Sequence, residues 1–181
     1  MTFYKEITLR DGRKCVLRSA ESSDAADFLA YFKQAHGETD FLTTYPDEAT
    51  HTSEETSEKF ELKKESESAV EVCAFVDGRL IGSAGNHMIS TREKLRHRAE
   101  FGISVIREFW ELGIGSALTE VCIELAKEAG FLQLELEAVA DNASALRLYR
   151  KYGFVEFGRN PRGFRTRDGR WQEIVMMRLE F

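Results

Sequence analysis

Between Arg98 and Val139 the chain alternates, passes over a pair of glycines into a long amphipathic stretch, and alternates again, and this order of periods constrains the fold more than any other feature. "AEFGISV" sets Ala99, Phe101, Ile103 and Val105 on one side and Glu100, Gly102 and Ser104 on the other, the two-residue period of a strand with one apolar face. Ile114, Ala117, Leu118, Val121, Cys122, Leu125 and Ala126 then recur at three- and four-residue steps up to Ala129, and Gly130 stands where a helix cap belongs. "FLQLELEAVA" returns to alternation, with Leu132, Leu134, Leu136 and Ala138 expected inward. A strand, helix and strand with a crossover of this length predict a parallel pair joined in the right-handed sense.

The remaining segments predict a sheet around that unit. "EITLRDGRKCVLRSA" reads as two short strands about an Asp11-Gly12 turn, and "AVEVCAFVDGRLIGSAGNHMI" as a hairpin about Asp77-Gly78. A helix is expected from Ser22 or Ser23 to about His36, and Thr52 with Glu55 has capping-box spacing for another. Asn142 can cap a further helix with Ala145, Leu148, Tyr149 and Tyr152 on one side, closed by Gly153. "FVEFGRNPRGFRTRDGRWQEIVMMRLEF" predicts two strands joined by an arginine-rich loop. No repeat, low-complexity tract or linker composition interrupts the 181 residues. The expectation is one domain over 1–181, α/β or α+β, about a single mixed sheet.

Charge and cysteine usage exclude several classes of function. A net charge of -6 argues against nucleic acid as the main partner, because counterion release needs a positive face. Cys15, Cys73 and Cys122 are odd in number and lack metal-ligand spacing, so reduced thiols are expected rather than disulfides or a zinc site. The N-terminal segment is charged too early for a secretory leader, and no apolar run approaches the ~18 residues of a membrane span. A cytoplasmic protein without membrane partners is expected.

"FWELGIGSAL" raises the chemical question. Gly113 and Gly115 sit where a helix should start, although glycine weakens a helix by up to about 1 kcal/mol against alanine. The first turn of a helix leaves its N–H groups unpaired and carries roughly half a positive charge, so glycines there let an anion approach the amides. A tight strand-to-helix turn would use the same residues, and G-x-G alone leaves both readings open. Neither the Lys-Ser/Thr of one phosphate loop nor the third glycine of the dinucleotide fingerprint follows.

A second motif downstream changes the balance. "VIREFWELGIGSALTEVCIELA" and "DNASALRLYRKYGF" together resemble the signatures of the GCN5-related N-acetyltransferase (GNAT) superfamily, the second filled here by Asn142, Ala145, Leu148, Tyr149, Gly153 and Phe154. The resemblance is strongest over about residues 98–157. It implies a mixed, mostly antiparallel sheet with one central parallel strand pair, flanked by helices. It implies acetyl-CoA as cosubstrate and no metal, with the pyrophosphate on the amides of Glu111, Leu112, Gly113, Ile114, Gly115 and Ser116. The pantetheine arm would run beside Ile103, Ser104 and Val105, with Asn142 and Tyr149 in contact. One departure stands out: Trp110, Glu111 and Leu112 occupy positions where the family commonly carries Arg or Gln, then glycine and a basic residue. Two unit charges 4 Å apart in water interact by roughly 1 kcal/mol, so Glu111 is expected to point outward, with Arg107 offsetting Glu108 and Glu111.

The implied activity is transfer of an acetyl group from acetyl-CoA to a primary amine, by direct attack in a ternary complex. An alkyl ammonium with a pKa near ~10 must lose a proton before attack, and a thiolate whose thiol has a pKa of about 8.5 must gain one. Tyr149 is the candidate acid and Glu100 the candidate base, with Glu137 and His87 as second choices. Tyr149 also reads as a core aromatic, Glu100 as a solvated glutamate beside Arg98, and Asn142 as a plain helix cap. A non-catalytic acyl-CoA-binding sensor or scaffold is the rival reading. The acidic stretch from Asp47 to Glu71 points to a cationic acceptor, whereas Arg159, Arg162, Arg165, Arg167 and Arg170 point to an acidic group. Homodimers are common in the family, and no stretch here marks an interface.

Overall fold

The structure, a computed structural model, describes residues 2–181. Its strands are β1 (Tyr4–Thr8), β2 (Lys14–Ser19), β3 (Ala69–Val76), β4 (Arg79–Met88), β5 (Arg98–Val105), β6 (Gln133–Val139), β7 (Val155–Arg165) and β8 (Trp171–Glu180). They form one eight-stranded sheet in the order β1-β2-β3-β4-β5-β6-β8-β7. Every neighbouring pair is antiparallel except β5 with β6. The helices are α1 (Ala25–Gly37), α2 (Ser53–Glu65), α3 (Ile114–Glu128) and α4 (Ala143–Lys151). Among the described residues no helix is long and apolar enough to cross a membrane.

Local sequence accounts for the joints. Asp77 and Gly78 take φ of 50° and 78°, the doubly left-handed turn that matches strand twist. Thr52 accepts from the Glu55 amide while Glu55 returns a bond to the Thr52 amide, closing the expected capping box of α2. Asn142 Oδ1 accepts from the Ala145 amide at 3.1 Å and starts α4.

Helices cover both faces of the sheet. Ile114, Leu118, Val121 and Cys122 of α3 are buried on one face, where Asn86 of β4 donates to the Cys122 carbonyl at 2.6 Å. On the other face, Tyr31 of α1 bonds to Ser104 of β5, and Lys63 of α2 reaches Glu71 of β3 at 2.6 Å.

The parallel pair decides where a site can be. β5 and β6 share only the rungs Arg98 with Gln133, Ala99 with Leu134 and Glu100 with Glu135. Past Glu100 each strand stays with its outer neighbour, β5 with β4 up to Val105 and β6 with β8 up to Val139. A wedge therefore opens inside the sheet at the C-terminal ends of these two strands.

Several expectations need correction. Leu132 is 60% exposed because β6 begins one residue later, and Phe131, at 4%, fills the core instead. On α4 the deepest residues are Leu146 and Tyr149, while Ala145, Leu148 and Tyr152 are half-buried. Arg159, Arg162 and Arg165 lie within β7 rather than in a loop, since that strand runs on through two register shifts and leaves only Arg167 and Arg170 in the turn.

Candidate active site

The segment after β5 leads to the mouth of the wedge. Ile106 and Phe109 are buried, and the Trp110 indole donates to the Val105 carbonyl at 2.6 Å. Glu111 then takes φ of 63° and Gly113 φ of 100°. A glutamate in that region costs roughly 1–2 kcal/mol, so the loop is held in shape from outside.

What holds it are its carbonyls. Arg10 donates from Nη1 to the Glu111 carbonyl at 2.9 Å and from its amide to the Leu112 carbonyl at 3.2 Å. The Gly113 carbonyl accepts from the Ala117 amide, that of Gly115 from Thr119 Oγ1 at 2.7 Å, and that of Ser116 from the Tyr152 hydroxyl at 2.9 Å. The amides are the opposite case. Among the described residues none of the N–H groups from Glu111 to Ser116 donates to a protein acceptor. A helix start leaves its first few amides unpaired, and here the unpaired run begins three residues before α3.

The two glycines have different causes. Gly113 is required by its positive φ. Gly115 is not: its φ is ordinary, and a Cβ there would lie 3.5 Å from Leu148 Cδ2, a normal contact. Packing within the protein gives no reason for a bare backbone at that point, whereas close approach of an anion does.

Glu111 is exposed, as expected. Arg107, however, does not offset Glu108 or Glu111. Its amide donates to Glu38 Oε2 at 2.5 Å and its guanidinium to the Glu38 carbonyl, because the C-terminal end of α1 attracts a cation. Glu108 pairs with Arg79 at 3.0 Å instead.

Tyr149 is 7% exposed and meets Phe101 edge-on at 6.2 Å, with Phe154 at 5.9 Å. Phe101 is the first residue of β5 beyond the last rung shared with β6, so this contact sets the phenol beside the wedge. Burial pushes its pKa above the ordinary phenol range. Its hydroxyl has no protein partner among the described residues.

On the opposite face lies a cleft of about 310 Å³ bounded by Phe28, Tyr31 and Phe32 of α1, Glu71, His87, and β5 from Glu100 to Ser104. Glu100 is exposed and stands across from His87, whose Nε2 is 3.5 Å from its carboxylate. Arg98 is not its companion, because that guanidinium is bidentate on Glu135. Glu137, two residues beyond Glu135, is exposed on the same face of β6. Ile103 and Val105 are half-buried at the wedge, and Ser104 has both its hydroxyl and its carbonyl on Tyr31.

Sequence reasoning missed the floor of this cleft. Glu71 is held by Lys63 and by the Ser83 hydroxyl, and a Cβ at Gly85 would lie 2.6 Å from the Val70 carbonyl. A glycine inside an alternating strand is a signal of close approach, and Gly85 could have been found that way. Nothing in the sequence marks Tyr31.

The two charge hints meet in one pair, Arg167 with Asp47, and the other arginines are committed elsewhere. Arg167 donates from Nη2 to both carboxylate oxygens of Asp47 at 2.6 and 2.8 Å, Arg170 reaches Asp168 and Asp40, and Arg159 reaches Glu156 and Glu173. Arg162 and Arg165 stack on Trp171 instead, each 5.4 Å from its ring. The turn between β7 and β8 is thereby clasped to the connection between α1 and α2. The three cysteines are buried and free. Burial pushes the Cys15 thiol up to about 11 and raises Cys73 and Cys122 as well, which removes them as nucleophiles at neutral pH.

Residues 35–154 match the profile of the acetyltransferase (GNAT) family. The chain belongs to the GNAT family. An L-amino acid N-acetyltransferase of Escherichia coli K12 is 30% identical over 111 residues, 59% of this chain and 65% of that one. The [ribosomal protein bS18]-alanine N-acetyltransferase of the same organism is 37% identical over 76 residues, 42% of this chain and 51% of that one. The match thus spans between half and two thirds of the length of these curated GNAT relatives. A crystal structure of a GNAT-family acetyltransferase from Streptococcus pneumoniae superposes with a TM-score of 0.88 at 30% identity, over 92% of this chain and 99% of that one. A Sinorhizobium meliloti phosphinothricin acetyltransferase solved in complex with AcCoA shares the GNAT fold at a TM-score of 0.78 and 22% identity, over 92% of this chain and 88% of that one.

Proposed function

We propose that this chain is an acetyl-CoA-dependent N-acetyltransferase acting on a primary amine bound in the cleft beneath α1, by direct attack with both substrates present. The observation that carries the reading is the run of unpaired amides from Glu111 to Ser116 beside the wedge between β5 and β6. A diphosphate fits that donor set, since its oxygens accept from main-chain amides and meet the positive end of α3. When bound, acetyl-CoA supplies an activated acetyl thioester. The inner edge of β5 past Glu100 has no strand partner, and an amide there, such as that of Ile103, is placed to stabilise developing oxyanion charge.

Glu100 takes the proton of the attacking ammonium, directly or through water, with His87 opposite it and Glu137 across the wedge as the reserve carboxylate. Tyr149 serves the sulfur side. A thiol titrates at about 8.5 and an unperturbed phenol near ~10, so a phenol raised further by burial keeps its proton and stabilises the leaving sulfur as a hydrogen-bond donor. The names of the two curated relatives point to acceptors as different as a free L-amino acid and an alanine of a ribosomal protein. We extend to this chain only what they share, an amine acceptor. The reading includes one catalytic domain over residues 1–181 in the cytoplasm, which three buried free thiols support.

The test is an acceptor panel of amines, amino acids and peptides, followed by release of free thiol from acetyl-CoA. Thiol release that requires both the chain and one class of amine is expected. Tight CoA binding without acceptor-dependent release anywhere in the panel would mark a non-catalytic binding module.

A further inference from the structure

We propose that Arg10, on the turn between β1 and β2, is a positioning residue for the cofactor, turning the peptide planes of Glu111 and Leu112 so that the following amides face the diphosphate. The inference rests on the reading above and supplies what the loop itself lacks. Where related loops commonly carry Arg or Gln, then glycine and a basic residue, this one carries Trp110, Glu111 and Leu112, and a guanidinium arrives from 101 residues away in sequence.

The geometry follows from the trans peptide. In each unit the carbonyl of one residue and the N–H of the next point in opposite directions. Arg10 Nη1 draws the Glu111 carbonyl toward the hairpin, which turns the Leu112 N–H away from it. The Arg10 amide draws the Leu112 carbonyl the same way, which turns the Gly113 N–H away. Arg10 thus stands behind the loop, with the unpaired amides on the far side. Glu111 at φ of 63° is the residue that bears the resulting conformation.

The hairpin is built to hold that position. Leu9 and Arg13 bond across the turn at 2.8 Å, Gly12 takes φ of 89°, and Arg13 is fixed by Asp11. The Arg13 guanidinium also lies 4.6 Å over the ring of Phe109, a buried residue of the same loop. Four guanidinium groups surround this loop, and three are committed: Arg13 to Asp11, Arg79 to Glu108, and Arg107 to Glu38. Arg10 alone of the four has no carboxylate or helix-end carbonyl partner among the described residues, its guanidinium donating to the Glu111 carbonyl.

The test is calorimetric titration of the full chain with CoA, beside thermal unfolding of each variant. Arg10→Met keeps the aliphatic stem and removes the donors, and Arg10→Gln is read instead should the first lower the Tm. The expected result is CoA binding weakened about ten-fold at wild-type Tm, as for loss of one charge-assisted hydrogen bond. Adding Glu111→Gly, which relieves the left-handed φ, restores affinity, whereas adding Glu111→Gln, which removes only the charge, does not. Wild-type CoA affinity in both Arg10 variants would overturn the proposal and leave the acetyltransferase reading standing. Equal restoration by glycine and glutamine would overturn it in favour of a pure charge effect, and a wild-type chain that fails to bind CoA would overturn both.

Discussion

The Tyr152 hydroxyl donates to the Ser116 carbonyl across 2.9 Å, joining the end of α4 to the first turn of α3. The two motifs that carry the family resemblance are thus mechanically one unit, with Leu148 packed 3.5 Å from where a Gly115 Cβ would be. Tyr152→Phe removes the bond without removing the ring. Stability should fall by about 1 kcal/mol, the usual net value of such a bond, and the KM for acetyl-CoA should rise while that for the acceptor stays put. Denaturant unfolding and two-substrate kinetics check this together.

Gly115→Ala separates folding from binding. The new methyl meets only ordinary contacts, and alanine favours a helix over glycine by up to about 1 kcal/mol, so the variant should melt no earlier than the parent. Affinity for CoA should nonetheless drop, because the methyl occupies the approach to the amides. Gly113→Ala should lose both, since its φ of 100° is strained for any side chain. A Tm and a CoA titration on each variant are sufficient.

Tyr149→Phe distinguishes an enzyme from a binding module. The phenyl ring preserves the edge contact with Phe101 and the packing on Phe154. Turnover should fall by about 10²-fold, the range for loss of a proton donor, with CoA affinity nearly unchanged. An unaltered rate would remove the phenol from the mechanism.

His36 gives the wall of the cleft beside α1 a pH dependence. It is buried, stacked on Phe32 at 3.7 Å, and its Nδ1 meets the Thr44 carbonyl at 2.9 Å and Oγ1 at 2.8 Å. Burial lowers its pKa below the ordinary value, against a smaller raising effect of the Thr44 carbonyl. The unfolded chain then binds the proton first as pH falls, so stability declines as pH drops through about 6.5 and levels off below the folded pKa. His36→Gln should flatten that part of the stability-pH curve, measured by denaturant unfolding between neutral and mildly acid pH.

The strand, helix and strand around the glycine loop were readable because each has one apolar face and an uninterrupted period. Asn142, Thr52 and the Asp77-Gly78 turn were readable because caps and turns are local chemistry. Leu132 was misplaced because alternation does not say where a strand begins. The arginines gave conflicting hints because two of the five, Arg167 and Arg170, find carboxylates far off in sequence, Asp47 and Asp40, while Arg159 pairs with Glu156 and Glu173 and the other two stack on Trp171. Tyr31 and Arg10 carry no local signature at all. Their roles exist only once β5 and the hairpin are folded beside them.

The most direct measurement is amide NMR of the isotope-labelled chain during titration with CoA. The account predicts that the Leu112, Gly113, Ile114, Gly115 and Ser116 resonances shift together and saturate with the binding isotherm, as unpaired N–H groups acquire phosphate acceptors. Saturable CoA binding that leaves those resonances in place while others move would contradict it.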